Sequence, residues 1–135
     1  MEQKIDPTGV DAYKPAEVAL RIEEAGVKKA ALAAIPLLTL SVLAGAFIAL
    51  GAAGFTAVLA GTTPGFGPAR LLGGIVFSTG LILVVVAGAE LFTGNTLIVM
   101  ARVDGRVSTA ALLRNWAYAF TGNLIGALSV VLLMY

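Results

Sequence analysis

Residues 89–97 read AELFTGNTL, and this stretch decides how the surrounding chain folds. One carboxylate, Glu90, stands with Gly94 and Asn95 inside a run of residues that is otherwise almost entirely apolar. Glycine followed by asparagine is a poor helix sequence, and a carboxylate is costly to bury. The stretch is therefore expected either to interrupt a helix or to serve a function at that position. The choice depends on the kind of protein that surrounds it.

The composition is typical of an integral membrane protein. Hydrophobic residues make up 59% of the 135 residues, charged residues make up 13%, and the mean hydropathy is +0.94. A soluble domain of this length could not bury so much apolar surface. The net charge of +1 and the scattered basic residues do not indicate nucleic-acid binding.

The chain contains no histidine and no cysteine. This excludes thiolate and imidazole metal ligands, and it excludes Ser/His and Cys/His nucleophile pairs. We therefore predict a protein that is not an enzyme and that holds no cofactor and no metal ion.

The N-terminal part, residues 1–29, is polar and charged and precedes any apolar run. From Pro15 onward it is predicted to form an interfacial helix, because proline is favoured at the first helical position. This helix is either a solvated leader of the first span or an element that docks on the rest of the protein. The sequence leaves both alternatives open.

The remaining residues, 30–135, are predicted to form a three-span transmembrane domain, in an all-α membrane protein. Small residues recur in every span, including Gly122 and Gly126 as a GxxxG pair, which predicts close helix packing. The chain stops at Tyr135 without a polar tail, so we expect a fragment or one product of a split chain. The apolar segments are residues 30–54, 71–101 and 112–135, and a Gly/Pro-rich loop at 61–68 separates the first two.

The second apolar segment is too long for one straight helix across a bilayer. It would extend about 46 Å, whereas the hydrocarbon core is about 30 Å thick. Tilt alone would have to approach about 50°, which is outside the usual range. We therefore predict a broken helix, with the break at residues 90–95 and a half-helix that begins at Asn95.

Glu90 is the only acidic residue between Glu24 and Asp104, so at membrane depth it has to be paired, hydrogen-bonded or protonated. We expect its carboxylate to accept hydrogen bonds from backbone N–H groups at the break. Direct contact with a permeating ion is less favourable, because an acid beside a pore repels anions. The half-helix after the break presents free N–H groups and the positive end of a helix dipole, which suits a small anion.

The basic residues predict the orientation in the membrane. Eight of the nine lysine and arginine residues lie within residues 1–29 or 102–114. If the first two spans form a hairpin, these eight lie on one side of the membrane and only Arg70 lies on the opposite side. The N-terminus and the turn at 102–108 are therefore predicted to be cytoplasmic, in a multi-pass protein of the cell's inner membrane.

Several motifs resemble the first half of the formate/nitrite transporter family. They are AGAELFTGN at 87–95, RVDGRVS at 102–108 and RNWAYAFTGNLIGA at 114–127, and the similarity begins in the leader KPAEVALRIEEAGVKKA at 14–30. The resemblance implies an aquaporin-like fold in which two inverted three-span halves surround a pore. It also implies a homo-pentamer with one pore per protomer, and a channel or proton-linked transporter for small monovalent anions.

The resemblance further implies site residues. Pore-lining positions of the family correspond to Phe77 and Leu81 on the second helix and to Leu91, Phe92 and Thr93 in the break. Glu90, Gly94 and Asn95 are expected to support the break. Family members also carry a second half with a pore histidine and a nearby lysine, and this chain ends before that half.

We therefore expect one half of an anion channel that is active only with the second half and as an oligomer, with a small anion and the lipid bilayer as partners. Formate is the first choice of substrate, because the motif at 114–127 resembles the formate members more than the nitrite members. Nitrite, hydrosulfide and lactate are alternatives within the family. A non-conducting structural membrane subunit is the alternative from another class.

Overall fold

The computed structural model describes residues 13–63 and 65–135, and every regular element in this part of the chain is helical. Residues 1–12 of the predicted cytoplasmic segment and Pro64 of the predicted loop lie outside the described residues. The prediction of an all-α protein is confirmed. The helices are α1 Pro15–Ala30, α2 Ala34–Leu59, α3 Gly67–Ala87, α4 Phe92–Asn95, α5 Ile98–Val103 and α6 Thr109–Met134.

Helix α1 begins at Pro15, as predicted, and the Glu17 carboxylate accepts a hydrogen bond of 3.1 Å from the backbone N–H of Lys14. Its buried residues, Gly26 and Ala30, face α5. A Cβ added at Gly26 would stand 3.4 Å from the Ile98 backbone, which is ordinary contact distance. Helix α1 is therefore docked against the rest of the protein, and of the two alternatives for it the contacts favour docking over a solvated leader.

Helix α2 begins at Ala34, four residues later than the predicted start of the first span, and continues to Leu59 instead of Gly54. The start follows from Pro36, which has no N–H group and is tolerated only in the first turn of a helix. The helix continues through Gly51 and Gly54, which keep helical backbone, and ends before Gly61, whose positive φ of 76° does not fit a right-handed helix.

Helix α3 ends at Ala87 because Gly88 adopts a left-handed conformation, with φ 62° and ψ 31°. The N–H of Ala89 then donates to the carbonyl of Val84 at 2.9 Å, which is the hydrogen bond of a Schellman motif. The predicted break at 90–95 is therefore shifted toward the N-terminus. The non-helical residues are 88–91, and the half-helix begins at Phe92 and not at Asn95.

Helix α6 begins at the N-cap Ser108, whose hydroxyl accepts from the N–H of Ala111 at 3.1 Å. It packs along α2, and the predicted GxxxG pair lies in this contact. A Cβ at Gly122 would collide with the Ser41 side chain, and one at Gly126 would collide with the Val42 carbonyl oxygen. The predicted close packing of small residues is confirmed at these two positions.

Three of the helices, α2, α3 and α6, are long and apolar enough to cross a membrane. Most of their surface is exposed in the single chain, including Val86 on α3 and Leu133 on α6, which are 80% and 86% exposed. Helices with apolar side chains all round belong in lipid or against other apolar helices. The three predicted spans, with the second followed by a break, are therefore confirmed.

Candidate functional site

The break between α3 and α4 is built into the side of α2. The backbone N–H of Glu90 donates to the carbonyl of Leu40 on α2 at 3.2 Å. Ala89 next to it belongs to a buried cluster with Ala44 and Val84, and Leu91 packs against this cluster. The non-helical backbone is thus held by specific contacts, as expected for irregular backbone inside a membrane protein.

Asn123 on α6 supplies the main support of the break. Its amide oxygen accepts a hydrogen bond of 2.8 Å from the N–H of Phe92, the first residue of α4. Its amide nitrogen donates to the carbonyl of Glu90 at 3.0 Å and to the carbonyl of Ser41 at 2.8 Å. One side chain therefore joins α2, α6 and both ends of the Glu90–Phe92 segment.

The Glu90 carboxylate has a partner that the sequence analysis did not predict. Its Oε1 atom lies 2.8 Å from the ammonium nitrogen of Lys29 at the end of α1. The prediction that Glu90 accepts hydrogen bonds from backbone N–H groups is wrong, because Oε1 accepts from Lys29 and Oε2 accepts from no group among the described residues. A buried carboxylate needs a positive charge, and Lys29 provides it.

The pair is asymmetric in its exposure. The Glu90 side chain is 7% exposed, whereas the Lys29 side chain is 32% exposed. The second carboxylate oxygen, Oε2, is buried and has no hydrogen-bond partner among the described residues.

Asn95 lies in a polar network that links α1, α4 and α6. The Lys29 ammonium donates to the Asn95 amide oxygen at 3.1 Å, and the Asn95 amide nitrogen donates to Asn115 Oδ1 at 2.9 Å. Asn115 in turn donates to the backbone carbonyl of Lys29 at 2.9 Å. Asn95 and Asn115 are fully buried, and their hydrogen bonds with Lys29 form a closed ring.

Trp116 extends this network to the backbone of α4. Its indole N–H donates to the carbonyl of Asn95 at 2.9 Å. The ring of Phe92 meets the rings of Trp116 and Phe120 edge-on, at centroid distances of 6.2 and 5.7 Å. Both ends of the half-helix α4 are therefore attached to α6.

The structure divides the predicted pore residues into two groups. Leu91 and Phe92 are partly buried in the contacts described above, and Thr93 beside them is exposed. Phe77 and Leu81 lie earlier on α3, are 40% and 50% exposed, and do not belong to the cluster that includes Leu91. Phe77 lies about 15 Å along the helix axis from Ala87, the last residue of α3.

The residues predicted to support the break also differ in their positions. Asn95 is buried in the polar network, whereas Gly94 is exposed, and a Cβ added there would have nothing within 4 Å. The backbone N–H groups of Thr93 and Gly94 have no acceptor in the described part of the chain. These two N–H groups are the free donors of the half-helix.

The contributors to the site that were missed from sequence include Lys29, Leu40, Ser41, Asn115, Trp116 and Asn123. The sequence does contain an indication of Asn123, because the tetrapeptide FTGN occurs twice, at 92–95 and 120–123. The asparagine of each copy, Asn95 and Asn123, forms hydrogen bonds at the break. Within the residues that the structure describes, no three His, Cys, Asp or Glu side chains form a group that could hold a metal ion.

Comparison with known proteins gives consistent matches over nearly the whole chain. A family model described as formate/nitrite transporter matches residues 16–135. The formate channel FocA of Escherichia coli strain K12 is 46% identical over 126 residues, which cover 93% of this chain and 44% of that protein. The formate channel FocA of Haemophilus influenzae is 42% identical over 93 residues, which cover 68% of this chain and 33% of that protein.

A more distant relative, the formate channel FocB of Escherichia coli strain K12, is 30% identical over 125 residues, or 93% of this chain and 44% of FocB. The chain therefore spans less than half the length of each of these relatives.

Proposed function

The chain belongs to the formate/nitrite transporter family, and from that premise we propose that it forms one half of a membrane channel or proton-linked transporter for small monovalent anions. The observation that carries the proposal is the interrupted helix, in which the N–H groups of Thr93 and Gly94 lack an acceptor among the described residues. Broken apolar helices with free N–H groups are typical of substrate sites in membrane transporters.

The electrostatics of the break support an anion as substrate. An unpaired carboxylate at Glu90 would repel anions, but the Lys29 ammonium lies 2.8 Å away and balances its charge. The pair leaves no net charge at the break, so the free N–H groups of Thr93 and Gly94 set the local field. Such a field favours a small anion over a cation.

We assign the pore to the residues that the family resemblance indicates. Phe77 and Leu81 form its apolar constriction, and their exposure leaves both side chains available to line a passage once another element covers α3. At the break, Leu91, Phe92 and Thr93 complete the lining of the passage, and Thr93 is the most exposed of the three. An apolar constriction removes water from a permeating ion, which favours small anions whose charge is balanced on either side.

A single half does not enclose a passage, so the proposal includes a second three-span half and assembly into a homo-pentamer. By the complete transporter we mean the present chain together with such a second half. The large exposed apolar area of α3 and α6 supports this part of the proposal, because only lipid and other apolar helices can cover it.

Formate is the substrate that we propose first, since several relatives are named as formate channels. Nitrite, hydrosulfide and lactate are the competing anions, because free N–H groups attract any small anion. A non-conducting structural subunit is the competing class of function.

We further propose that the N-terminus is cytoplasmic. Glu23 on α1 pairs with Arg106 at 3.5 Å, so the leader and the turn at 102–108 lie at one end of the bundle with most of the basic residues. Clusters of lysine and arginine remain on the cytoplasmic side of membranes.

We expect Asp104→Cys and Thr63→Cys to be labelled by an impermeant thiol reagent from opposite sides of the membrane. Both residues are exposed, and the chain has no cysteine that would react in the background. Asp104 should react from the cytoplasmic side. Labelling of both positions from the same side would contradict the three-span topology.

The proposed function is tested by reconstitution into liposomes. We expect the complete transporter to release formate and the 135-residue chain alone to release none, because one half covers only one side of the passage. Nitrite, hydrosulfide and lactate, added in turn as competitors, rank the substrates. Complete transporter that assembles normally but passes none of these anions would support the structural subunit instead.

A further inference from the structure

Helix α1 brings a charged residue into the break from a distant part of the sequence. Lys29 lies in the last turn of α1, 61 residues before Glu90, and reaches the site because Gly26 and Ala30 dock α1 against α5. Lys28 beside it is exposed and pairs with no acid in the described part of the chain. Only one of two adjacent lysines therefore takes part in the site.

Lys29 makes two side-chain contacts that position different parts of the break. Its ammonium bonds the Glu90 carboxylate on the N-terminal side of α4 and the Asn95 amide on the C-terminal side, at 2.8 and 3.1 Å. The backbone carbonyl of the same residue accepts from Asn115, which holds Asn95 from α6. The half-helix α4 is thus held at both ends by one residue of α1.

We propose that Lys29 is a positioning residue for permeation, which fixes the orientation of α4 and hence of the free N–H groups of Thr93 and Gly94. The inference rests on the proposed function and names the residue that sets the geometry of its site. Neutralising Glu90 would require only some positive charge nearby. The Lys29 ammonium reaches Glu90 and Asn95 with N–H donors on a single nitrogen atom, whereas arginine spreads its donors over a larger planar fork, so arginine at this position would displace one or both contacts.

The central variant is Lys29→Met with Glu90→Gln, in the complete transporter. The pair of substitutions removes both charges at similar side-chain volume, so no unpaired charge is left in the interior. Lys28→Met is the matched control on the same helix. Trp116 is the only tryptophan of this chain and donates to the Asn95 carbonyl, so its fluorescence reports the position of α4 once any tryptophans of the second half are replaced by phenylalanine.

We expect the double variant to assemble normally. Its formate flux per transporter should fall about tenfold, which is the effect of losing one charge-assisted hydrogen bond. Acrylamide should quench the fluorescence of Trp116 more strongly than in the wild type. Lys28→Met should leave both quantities unchanged. An assembled double variant with wild-type flux and wild-type quenching would overturn the proposal.

If the double variant does not assemble, Lys29→Arg decides the matter, because it keeps the positive charge but not the compact ammonium group. Reduced flux and altered quenching in assembled Lys29→Arg support the proposal, and wild-type values overturn it. A wild-type complete transporter without any anion flux would refute the proposed function instead. In that case, altered Trp116 quenching in the double variant would still show that Lys29 positions α4.

Discussion

Asn123→Leu is expected to destabilise the folded protein by about 2–4 kcal/mol, because it removes three hydrogen bonds from the break at nearly constant side-chain volume. The N–H of Phe92 and the carbonyl of Glu90 would lose the partner that holds them against α6. The Ser41 carbonyl would lose its link to the same side chain. The measurement is the midpoint of thermal unfolding in detergent, with the yield of assembled protein as a second readout.

Ser129→Ala is the matched control for this prediction. Ser129 is exposed on the same helix, and its hydroxyl bonds only the carbonyl of Ile125 within one turn of that helix. We expect an unchanged unfolding midpoint for Ser129→Ala. If Asn123→Leu unfolds at the same temperature as the wild type, Asn123 does not support the break.

Gly126→Ala is expected to separate α2 from α6 at a cost of about 3 kcal/mol, near the upper end for an overpacked contact. A Cβ at this position would collide with the carbonyl oxygen of Val42 and would stand 2.8 Å from the backbone nitrogen of Ala46. Because these atoms belong to the backbone of α2, no side chain can rotate to make room. The helices have to move apart, which also displaces Asn123 one turn earlier on α6.

Gly74→Ala is the matched control, because it adds the same methyl group at a position where it contacts no other helix. Gly74 lies on α3, and a Cβ added there would meet nothing within 4 Å. Alanine favours the helix over glycine by about 0.5–1 kcal/mol, so the unfolding midpoint should stay equal or rise slightly. Equal loss of stability in Gly126→Ala and Gly74→Ala would show that the α2–α6 contact is not as close as described.

The sequence predicted the features of this fold that depend on local composition. The three spans follow from long apolar runs, and the break follows from a segment that exceeds the bilayer thickness. The position of the break was off by a few residues because the prediction relied on Gly94 and Asn95. The helix instead ends at Gly88, the glycine in a left-handed conformation, and Gly94 lies in the half-helix that follows.

The partners within the site depend on contacts between distant residues, which a single sequence does not reveal. Lys29 and Glu90 are separated by 61 residues, and Asn123 and Phe92 by 31. The sequence predicted that Glu90 needs a partner. It did not predict which residue this is, because the docking of α1 brings Lys29 to Glu90. Asn115 is buried and Asn123 is partly buried in an apolar helix, and only the packing of α6 against α1, α2 and α4 explains their amide groups.

In the proposed function, the break lies on the permeation path. Thr93→Cys in the complete transporter tests it directly, because Thr93 is exposed at the break and this chain contributes no other cysteine. A small thiol reagent attached there would occupy the position of the free N–H groups. Asp104→Cys, exposed in the turn at 102–108, serves as the control for labelling away from the break.

The measurement is formate flux through liposomes before and after complete modification of each cysteine. We predict that modified Thr93→Cys loses most of its flux and that excess formate slows the modification, whereas modified Asp104→Cys keeps its flux. Fully modified Thr93→Cys that conducts formate as well as the unmodified protein would contradict the account.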